Sequence, residues 1–136
     1  MKIVVCVKQV PDTADIKWTE NNTLSREGVE SILNPFDEHA LEEALKIKDK
    51  KYNTHITVIT MGPAQAENIL KEALAKGADE AILLSDKKFS GADTLATAKT
   101  LASGISEIIK EKYNEFVFGE DRKIEKIGIY TTFYME

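Results

Sequence analysis

Short apolar runs and longer amphipathic segments alternate along this chain. Four short runs of mainly apolar residues are typical of strands buried on both faces of a parallel sheet, and they lie at residues 2–7, 55–60, 81–84 and 116–119. Three longer segments carry apolar side chains every three or four residues, as one face of a helix does, and they lie at residues 35–50, 64–76 and about 93–112. This alternation predicts a three-layer α/β fold with an open, mostly parallel sheet.

The ends of the helices are marked by residues that favour helix starts and stops. Asn34-Pro35-Phe36-Asp37 opens the first helix, because proline suits the first turn and an acidic side chain favours the positive end of the helix dipole. Gly77 is expected to end the second helix. The third helix is predicted to bury an apolar face made of Leu95, Ala98, Leu101, Ala102, Ile105, Ile108 and Ile109.

A long polar connection separates the first strand from the first helix, from Lys8 to about Leu33. Residues 16–18 and 23–25 are β-prone and flank Asn21-Asn22, which predicts a small hairpin. Connections of this length in compact domains are usually functional or face a partner. We therefore expect this segment to lie beside one edge of the sheet or against a partner, and not in the core.

The pattern changes after Gly119. Residues 120–126 are mostly charged, residues 127–133 are β-prone, and no amphipathic segment follows them. We interpret residues 1–119 as one α/β domain that is incomplete at its C-terminus, and residues 120–136 as a divergent tail. Because residues 127–133 are β-prone, we expect them to pair as an edge strand.

Composition narrows the class of protein. A chain of 136 residues with 43% hydrophobic and 30% charged residues is an ordinary globular domain with enough material for a core. A net charge of −5 argues against a nucleic-acid partner, since phosphate backbones attract basic surfaces. The apolar run at residues 3–7 is too short for a signal peptide or a membrane span, which predicts a cytoplasmic protein with no membrane insertion.

Catalytic signatures are scarce in this sequence. Cys6 is the only cysteine and lies in an apolar run, so we expect a buried small residue and not a nucleophile. His39 is predicted on a helix, and His55 at the start of a strand, away from the end where ligands bind. We find no Ser-His-Asp arrangement, no metal-ligand spacing and no Walker-type phosphate loop. The residues therefore predict a binding module without catalytic residues or a metal.

The segment Gly91-Ala92-Asp93-Thr94-Leu95-Ala96-Thr97 is the best candidate for ligand binding. In open α/β sheets ligands bind outside the carboxyl ends of the strands, and this segment follows the third strand. A helix start also offers unpaired N–H groups and the positive end of the helix dipole, which suit phosphate. Asp93 or Thr94 could equally be no more than the N-cap of the helix. The residues alone predict a nucleotide-binding module and leave that alternative open.

Several short segments together carry a family resemblance. They are Val7-Lys8-Gln9-Val10-Pro11-Asp12, Asn34-Pro35-Phe36-Asp37-Glu38, Ala40-Leu41-Glu42-Glu43-Ala44, Met61-Gly62-Pro63-Ala64-Gln65, Glu72-Ala73-Leu74-Ala75-Lys76-Gly77-Ala78-Asp79, Ser85-Asp86 and the candidate segment at 91–97. All of them occur in the order and at the spacing of the beta subunits of electron transfer flavoproteins, which the chain resembles from residue 1 to about residue 112.

The resemblance implies a Rossmann-like, adenine-nucleotide-binding domain in residues 1–119, with FAD or AMP as the bound nucleotide. It implies a heterodimer with a flavin-carrying alpha subunit, and an electron carrier subunit more than a catalyst on its own. Acyl-CoA dehydrogenase-type or NADH-linked proteins are the redox partners that it implies. The segment at 91–97 resembles the electron-bifurcating branch, in which a second FAD takes the place of AMP. The residues that match the nucleotide-binding positions are Cys6, Lys8, Asn34, Phe36, Asp37, Met61, Gly62, Asp93, Thr94 and Thr97.

The chain departs from this family after the predicted fourth strand. The family has a Gly-x-Gln-x-x-Asp-rich phosphate loop there, whereas only Gly119 matches its start, and Glu120 and Asp121 would repel phosphate. A stand-alone adenine-nucleotide-binding regulatory domain and a truncated subunit without function are therefore alternatives. An enzyme of the adenylate-handling class fits least, because residues 8–11 lack the Ser-Gly-Gly-like loop that such enzymes need.

Overall fold

The computed structural model of the chain describes residues 1–12, 17–18, 24–25, 31–112 and 127–130, and it describes side chains for residues 1–12 and 31–109. In chain order the strands and helices are β1 (Lys2–Cys6), β2 (Gln9–Pro11), β3 (Lys17–Trp18), β4 (Leu24–Ser25), β5 (Ser31–Leu33), α1 (Pro35–Lys50), β6 (His55–Met61), α2 (Glu67–Lys76), β7 (Glu80–Leu84), α3 (Thr94–Lys112) and β8 (Ile127–Tyr130). Short 3-10 turns at Ala64–Ala66 and Lys87–Phe89 precede α2 and α3. The predicted alternation of strands and helices is confirmed.

The main sheet has four strands in the order β7-β6-β1-β8. All three neighbouring pairs are parallel, as predicted for the first three strands of the sequence. In β1, Cys6 lies opposite Ile59 of β6, and Val4 lies opposite Ile129 of β8. The edge strand predicted in the tail is confirmed for residues 127–130, while the strand predicted at 116–119 lies outside the described residues.

Side chains on successive positions of β1 pack into two different clusters, because neighbouring residues of a strand face opposite sides of the sheet. Ile3 and Val5 pack with the buried residues of α1 and α2, whereas Val4 packs with Ile105 and Ile108 of α3. The helices α1 and α2 therefore cover one face of the sheet and α3 covers the other. This arrangement is the three-layer α/β architecture expected from the sequence.

Helix α1 begins and ends where the sequence predicted, and α2 ends as predicted but begins three residues later, after the 3-10 turn at Ala64–Ala66. Asn34 caps α1, with its side-chain oxygen accepting a hydrogen bond from the backbone N–H of Phe36 at 3.2 Å. Gly77 ends α2 with φ at 121°, a left-handed conformation that favours glycine. Lys48 of α1 donates to the Gly77 carbonyl at 2.9 Å and to Asp79 at 2.7 Å. These bonds tie the C-terminal ends of α1 and α2 together.

Asp79 also fixes the sheet beneath those helix ends. Its carboxylate accepts a hydrogen bond from the backbone N–H of Ile56 at 2.8 Å. Burial acts to raise the pKa of Asp79, but the Lys48 ammonium and the Ile56 N–H outweigh it and hold the pKa below its usual range. A carboxyl whose pKa is lowered by folding stabilises the native state at neutral pH, and this contribution is lost as the pH falls through the folded-state pKa.

The long connection between β1 and α1 is only partly outside the core. Strand β2 pairs antiparallel with β5, and the predicted hairpin is present as the antiparallel pair β3 and β4. The expectation that this connection avoids the core is wrong at its end, because Leu33 is 3% exposed and packs in the cluster with α1 and α2. Its backbone lies opposite Gln9, so the β2–β5 pairing carries Leu33 back onto the sheet.

The first half of α3 does not bury the face that the sequence predicted. Leu95 is 61% exposed, and Ala98 and Ala102 are exposed as well, so these three assignments to the core are wrong. For Leu95 and Ala98 the reason is the position of the helix along the sheet. Gly104 lies against Leu84, the last residue of β7, and is ten residues beyond the start of α3. At about 1.5 Å of rise per residue, roughly 15 Å of helix extends past that point.

We call residues 94–100 of α3 the overhang. After it, α3 packs against the sheet as predicted, through Leu101, Ile105, Ile108 and Ile109.

Within the described part of the chain, no helix is both long enough and apolar enough to cross a membrane.

We expect Gly104→Leu to lower the free energy of unfolding by about 1–3 kcal/mol, because the helix and the sheet leave no room for a side chain there. Even a Cβ atom at this position would lie 2.9 Å from Leu84 Cδ1 and 3.1 Å from Ile59 Cδ1. Urea denaturation followed by circular dichroism measures the effect. Ala102→Leu, at an exposed position of the same helix, is the control and should change the stability little. Equal stability of both variants would contradict the close approach.

Candidate functional site

The carboxyl ends of three strands meet at one edge of the sheet. The N–H of Val7 bonds to the Ile59 carbonyl, and the N–H of Gly62 bonds to the Leu84 carbonyl, both at 3.0 Å. These bonds continue the pairing of β1 with β6 and of β6 with β7 beyond the last strand residues. The segments that follow the three strands are therefore held side by side, as the sequence predicted. We call this the carboxyl edge.

The start of α1 is attached to the same edge. The N–H of Asn34 donates to the carbonyl of Lys8 at 2.9 Å, and the N–H of Lys8 donates to Asp37 Oδ2 at 2.8 Å. Asp37 is 5% exposed, so a buried carboxylate joins the end of β1 to the first turn of α1. Phe36, between them, is 49% exposed. Four predicted site residues are thus brought together here: Lys8, Asn34, Phe36 and Asp37.

These contacts separate structural from available groups. The Asn34 side-chain oxygen is used by the helix cap, which leaves its NH₂ group as the part that could donate to a ligand. The Asp37 carboxylate is used by the Lys8 backbone. The Phe36 side chain is exposed at the carboxyl edge and offers an aromatic face to a planar ring.

Cys6 lies at the end of β1 and is half-buried, so the expectation of a fully buried residue is only partly right. Its side chain packs with Val4, Ile59 and the α3 residues on the second face of the sheet. Burial raises the pKa of the Cys6 thiol, and the negative charge of Asp37 raises it further. A thiol with a raised pKa is a poor nucleophile at neutral pH.

The end of β6 supplies two further predicted residues to the carboxyl edge. Met61 is half-buried and lies opposite Leu84 in the sheet. Gly62 follows it, and a Cβ atom on Gly62 would lie 3.1 Å from the Cβ atom of Ala66. The chain therefore turns tightly here into the 3-10 turn before α2. This places the Met61 side chain and the Gly62 backbone at the edge.

At the start of α3 the N-cap interpretation is correct for Asp93. Its side chain accepts a hydrogen bond from the N–H of Ala96 at 2.8 Å, and its carbonyl accepts one from Thr97 at 3.0 Å. Gly91 precedes it with φ at 75°, a turn conformation that favours glycine. Thr94 is exposed and Thr97 is half-buried. Both threonines lie on the overhang and are therefore displaced outward from the strand ends.

Two polar atoms near this edge were not candidates in the sequence. Gln9 Oε1 and Thr60 Oγ1 are both buried, and neither has a hydrogen-bond partner in the part of the chain that the structure describes. The sequence carries no signal for them, because the burial of one side-chain atom is decided by packing.

Neither histidine belongs to the carboxyl edge. His39 is exposed on α1, and His55 is at the opposite end of β6, where its Nε2 lies 3.5 Å from Glu80 Oε2. Over residues 1–12 and 31–109, no three His, Cys, Asp or Glu side chains cluster closely enough to hold a metal ion.

We expect Asp37→Asn to lower the pKa of the Cys6 thiol, because it removes a nearby negative charge and leaves the burial in place. The pH dependence of Cys6 alkylation by iodoacetamide measures this pKa, and its midpoint should move to lower pH. Glu38→Gln, one residue along and exposed, is the control and should leave the midpoint unchanged. An unchanged midpoint in Asp37→Asn would contradict the proximity of the two side chains.

Known proteins resemble this chain over most of its length. A family model for the electron transfer flavoprotein domain matches residues 21–128. The beta subunit of electron transfer flavoprotein from Clostridium acetobutylicum is 62% identical over 109 residues, which cover 79% of this chain and 42% of that protein.

Two relatives with other names support the same assignment. The caffeyl-CoA reductase-Etf complex subunit CarD of Acetobacterium woodii is 58% identical over 111 residues, or 81% of this chain and 42% of that protein. Protein FixA of Azotobacter vinelandii is 47% identical over 126 residues, or 92% of this chain and 44% of that protein. The chain thus spans less than half the length of these relatives.

Proposed function

The chain belongs to the electron transfer flavoprotein family, and we propose that it acts as a beta-type subunit that holds an adenine nucleotide at the carboxyl edge. The observation that carries this proposal is the attachment of α1 to the end of β1 through Asn34, Lys8 and Asp37. It brings the half-exposed ring of Phe36, the amide of Asn34 and the end of β1 to one place. Small binding groups of this kind suit a nucleoside, and no described group there suits bond-breaking chemistry.

The strand order supports a Rossmann-like fold for this domain. In the order β7-β6-β1-β8, the chain moves outward in one direction from β1 to β7 and then crosses to the other side of β1 for β8. In doubly wound sheets, nucleotides bind at the carboxyl ends of the strands where this reversal occurs. The reversal here is next to β1, the strand that ends at Cys6 and is joined to α1.

The proposed nucleotide contacts form two groups. We assign the base and ribose to the end of β1, the start of α1 and the end of β6, and the phosphate to the hydroxyl groups at the start of α3. Asp93 and Asp37 shape the site through the backbone contacts that they accept. The residues of the proposed site are Cys6, Lys8, Asn34, Phe36, Asp37, Met61, Gly62, Asp93, Thr94 and Thr97.

The overhang favours FAD over AMP as the nucleotide. Gly104 packs against Leu84, the last residue of β7, so Thr97 and Thr94 lie about 10 and 15 Å of helix before that contact, at 1.5 Å per residue. A ligand that contacts both the strand ends and these hydroxyl groups must therefore be extended. FAD would supply the one- and two-electron chemistry of its flavin ring, while the residues of this chain bind and orient it.

A partner subunit follows from the family. The relatives are named as a beta subunit and as a subunit of an Etf complex. We propose that this chain pairs with a flavin-carrying alpha subunit in a cytoplasmic heterodimer, and that this heterodimer exchanges electrons with acyl-CoA dehydrogenase-type or NADH-linked proteins. The division between a domain at residues 1–119 and a divergent tail stays a prediction, since the family model matches residues up to 128.

Binding of the nucleotide should depend on the hydroxyl groups of the overhang. We expect the Thr94→Val/Thr97→Val double variant to bind FAD more weakly by roughly 1–3 kcal/mol, since hydrogen bonds to a charged group are lost. AMP affinity should fall less, because the shorter ligand does not need to reach the overhang. Isothermal titration calorimetry with both nucleotides gives the two values.

Thr100→Val is the matched control for that experiment. Its hydroxyl already donates to the Ala96 carbonyl at 2.9 Å within the helix, so it is not available to phosphate. If the double variant and the control bind both nucleotides equally well, the start of α3 acts only as a helix cap. A larger loss for AMP than for FAD would contradict the extended ligand.

Co-expression with an electron transfer flavoprotein alpha subunit tests the partner. We expect the two chains to purify together in a complex that shows flavin absorbance and has one copy of each chain by light scattering. The alpha subunit purified alone is the control, because it shows how much flavin absorbance arises without this chain. A chain that binds AMP tightly, remains monomeric and gains no flavin beside the alpha subunit would instead be a stand-alone regulatory domain. A chain that binds no nucleotide and no partner would be a truncated subunit without function.

A further inference from the structure

Gln9 carries a polar group that its surroundings do not satisfy. Its side-chain oxygen Oε1 is buried, and no donor reaches it among the residues that the structure describes. A buried acceptor without a partner is unfavourable, because the hydrogen bond to water has been lost and nothing replaces it. Such atoms are rare in native proteins, and each one calls for a physical explanation.

The position of Gln9 connects this atom to the carboxyl edge. Gln9 is three residues beyond the end of β1 and directly follows Lys8, whose N–H is bonded to Asp37. Its backbone lies opposite Leu33, which directly precedes Asn34, the cap of α1. Gln9 therefore follows Lys8 in the chain and lies opposite the residue that precedes Asn34, and Lys8 and Asn34 both help to attach α1 to β1.

Gln9 differs from Thr60, the other residue at this edge with an unpartnered oxygen. Thr60 is 1% exposed, so its hydroxyl is enclosed and cannot reach a ligand. Gln9 is only half-buried, and its side chain has three rotatable bonds. Turning the Gln9 amide outward would break no hydrogen bond of Oε1, because that oxygen makes none in the described structure. The side chain can therefore move at little cost.

We propose that Gln9 is a nucleotide-contacting residue whose amide turns outward when the ligand binds, so that Oε1 accepts a hydrogen bond from a donor of the nucleoside. This inference rests on the proposed function. The donor is a ribose hydroxyl or the amino group of the base, since phosphate oxygens only accept. Without the ligand, Gln9 Oε1 has no hydrogen-bond donor, and with the ligand bound it has one. Binding therefore forms a hydrogen bond to Oε1 without breaking an earlier one.

The test compares the thermal stability and the AMP affinity of one variant, because the proposal predicts that only the affinity falls. Gln9→Leu removes the amide and keeps a similar volume. In the free protein it removes an unsatisfied buried oxygen, so the midpoint of thermal unfolding should equal or exceed that of the wild type. AMP affinity by calorimetry should nevertheless fall by about 3- to 10-fold, the range for one lost neutral hydrogen bond. A purely structural role for Gln9 would instead lower both quantities together.

Thr60→Val is the matched control, because it also removes an unpartnered oxygen at the carboxyl edge. Its unfolding midpoint should likewise not fall, but its AMP affinity should match that of the wild type, since Thr60 is enclosed. The proposal is overturned if Gln9→Leu binds AMP as the wild type does, or if its unfolding midpoint falls. Failure of the wild type itself to bind AMP or FAD would refute the proposed function and, with it, the role of Gln9.

Discussion

The parallel pairing of β1 with a strand on each side is the constraint on which the rest of this structure depends. Parallel strands end at the same edge, so the pairing of β1 with β6 and β8 fixes which segments can meet there. The bond from Val7 to Ile59 carries this alignment beyond the strands themselves. Everything proposed about ligand binding follows from the edge that this pairing creates.

Asp37 converts that edge into a defined corner. An acidic residue in the first turn of a helix is already favourable, because it faces the positive end of the helix dipole. Here the same carboxylate also accepts a hydrogen bond from the N–H of Lys8, two residues beyond the end of β1. One buried side chain therefore stabilises the start of α1, the exit from β1 and the distance between them. Its charge also raises the pKa of the Cys6 thiol, so the same residue helps to keep the only cysteine of the chain protonated.

The overhang of α3 is the second part of the proposed site. Gly104 allows the helix to approach Leu84 and Ile59 closely, and this contact sets how far the helix extends past the sheet. The proposal of an extended ligand rests on this position of the helix start. The contact also explains why apolar residues such as Leu95 are exposed although they share the spacing of the buried residues.

The sequence predicted which segments meet at the carboxyl edge, but it did not predict how their polar groups are arranged. The apolar runs predicted the strands and therefore their ends, and the structure confirms that Lys8, Asn34 and Met61 lie at one edge. The N-cap role of Asp93 was one of two alternatives, and the hydrogen bond from Ala96 decided it. Which polar atoms are buried there could not be predicted, because Gln9 and Thr60 have no distinguishing pattern in the chain.

The sequence by itself determined the order and type of the elements, since hydrophobic period and helix-end residues are local properties. The start of α1 at Asn34-Pro35 and the end of α2 at Gly77 follow from neighbouring residues. The parallel strands follow from the alternation of strands and helices, and all of these features are present as predicted. Only the tertiary structure decided which apolar residues are buried. Leu33 lies in the core because β2 pairs with β5, and Leu95 is exposed because α3 extends past the sheet. Burial depends on where one element lies along another, and that distance is set by contacts between residues far apart in the chain.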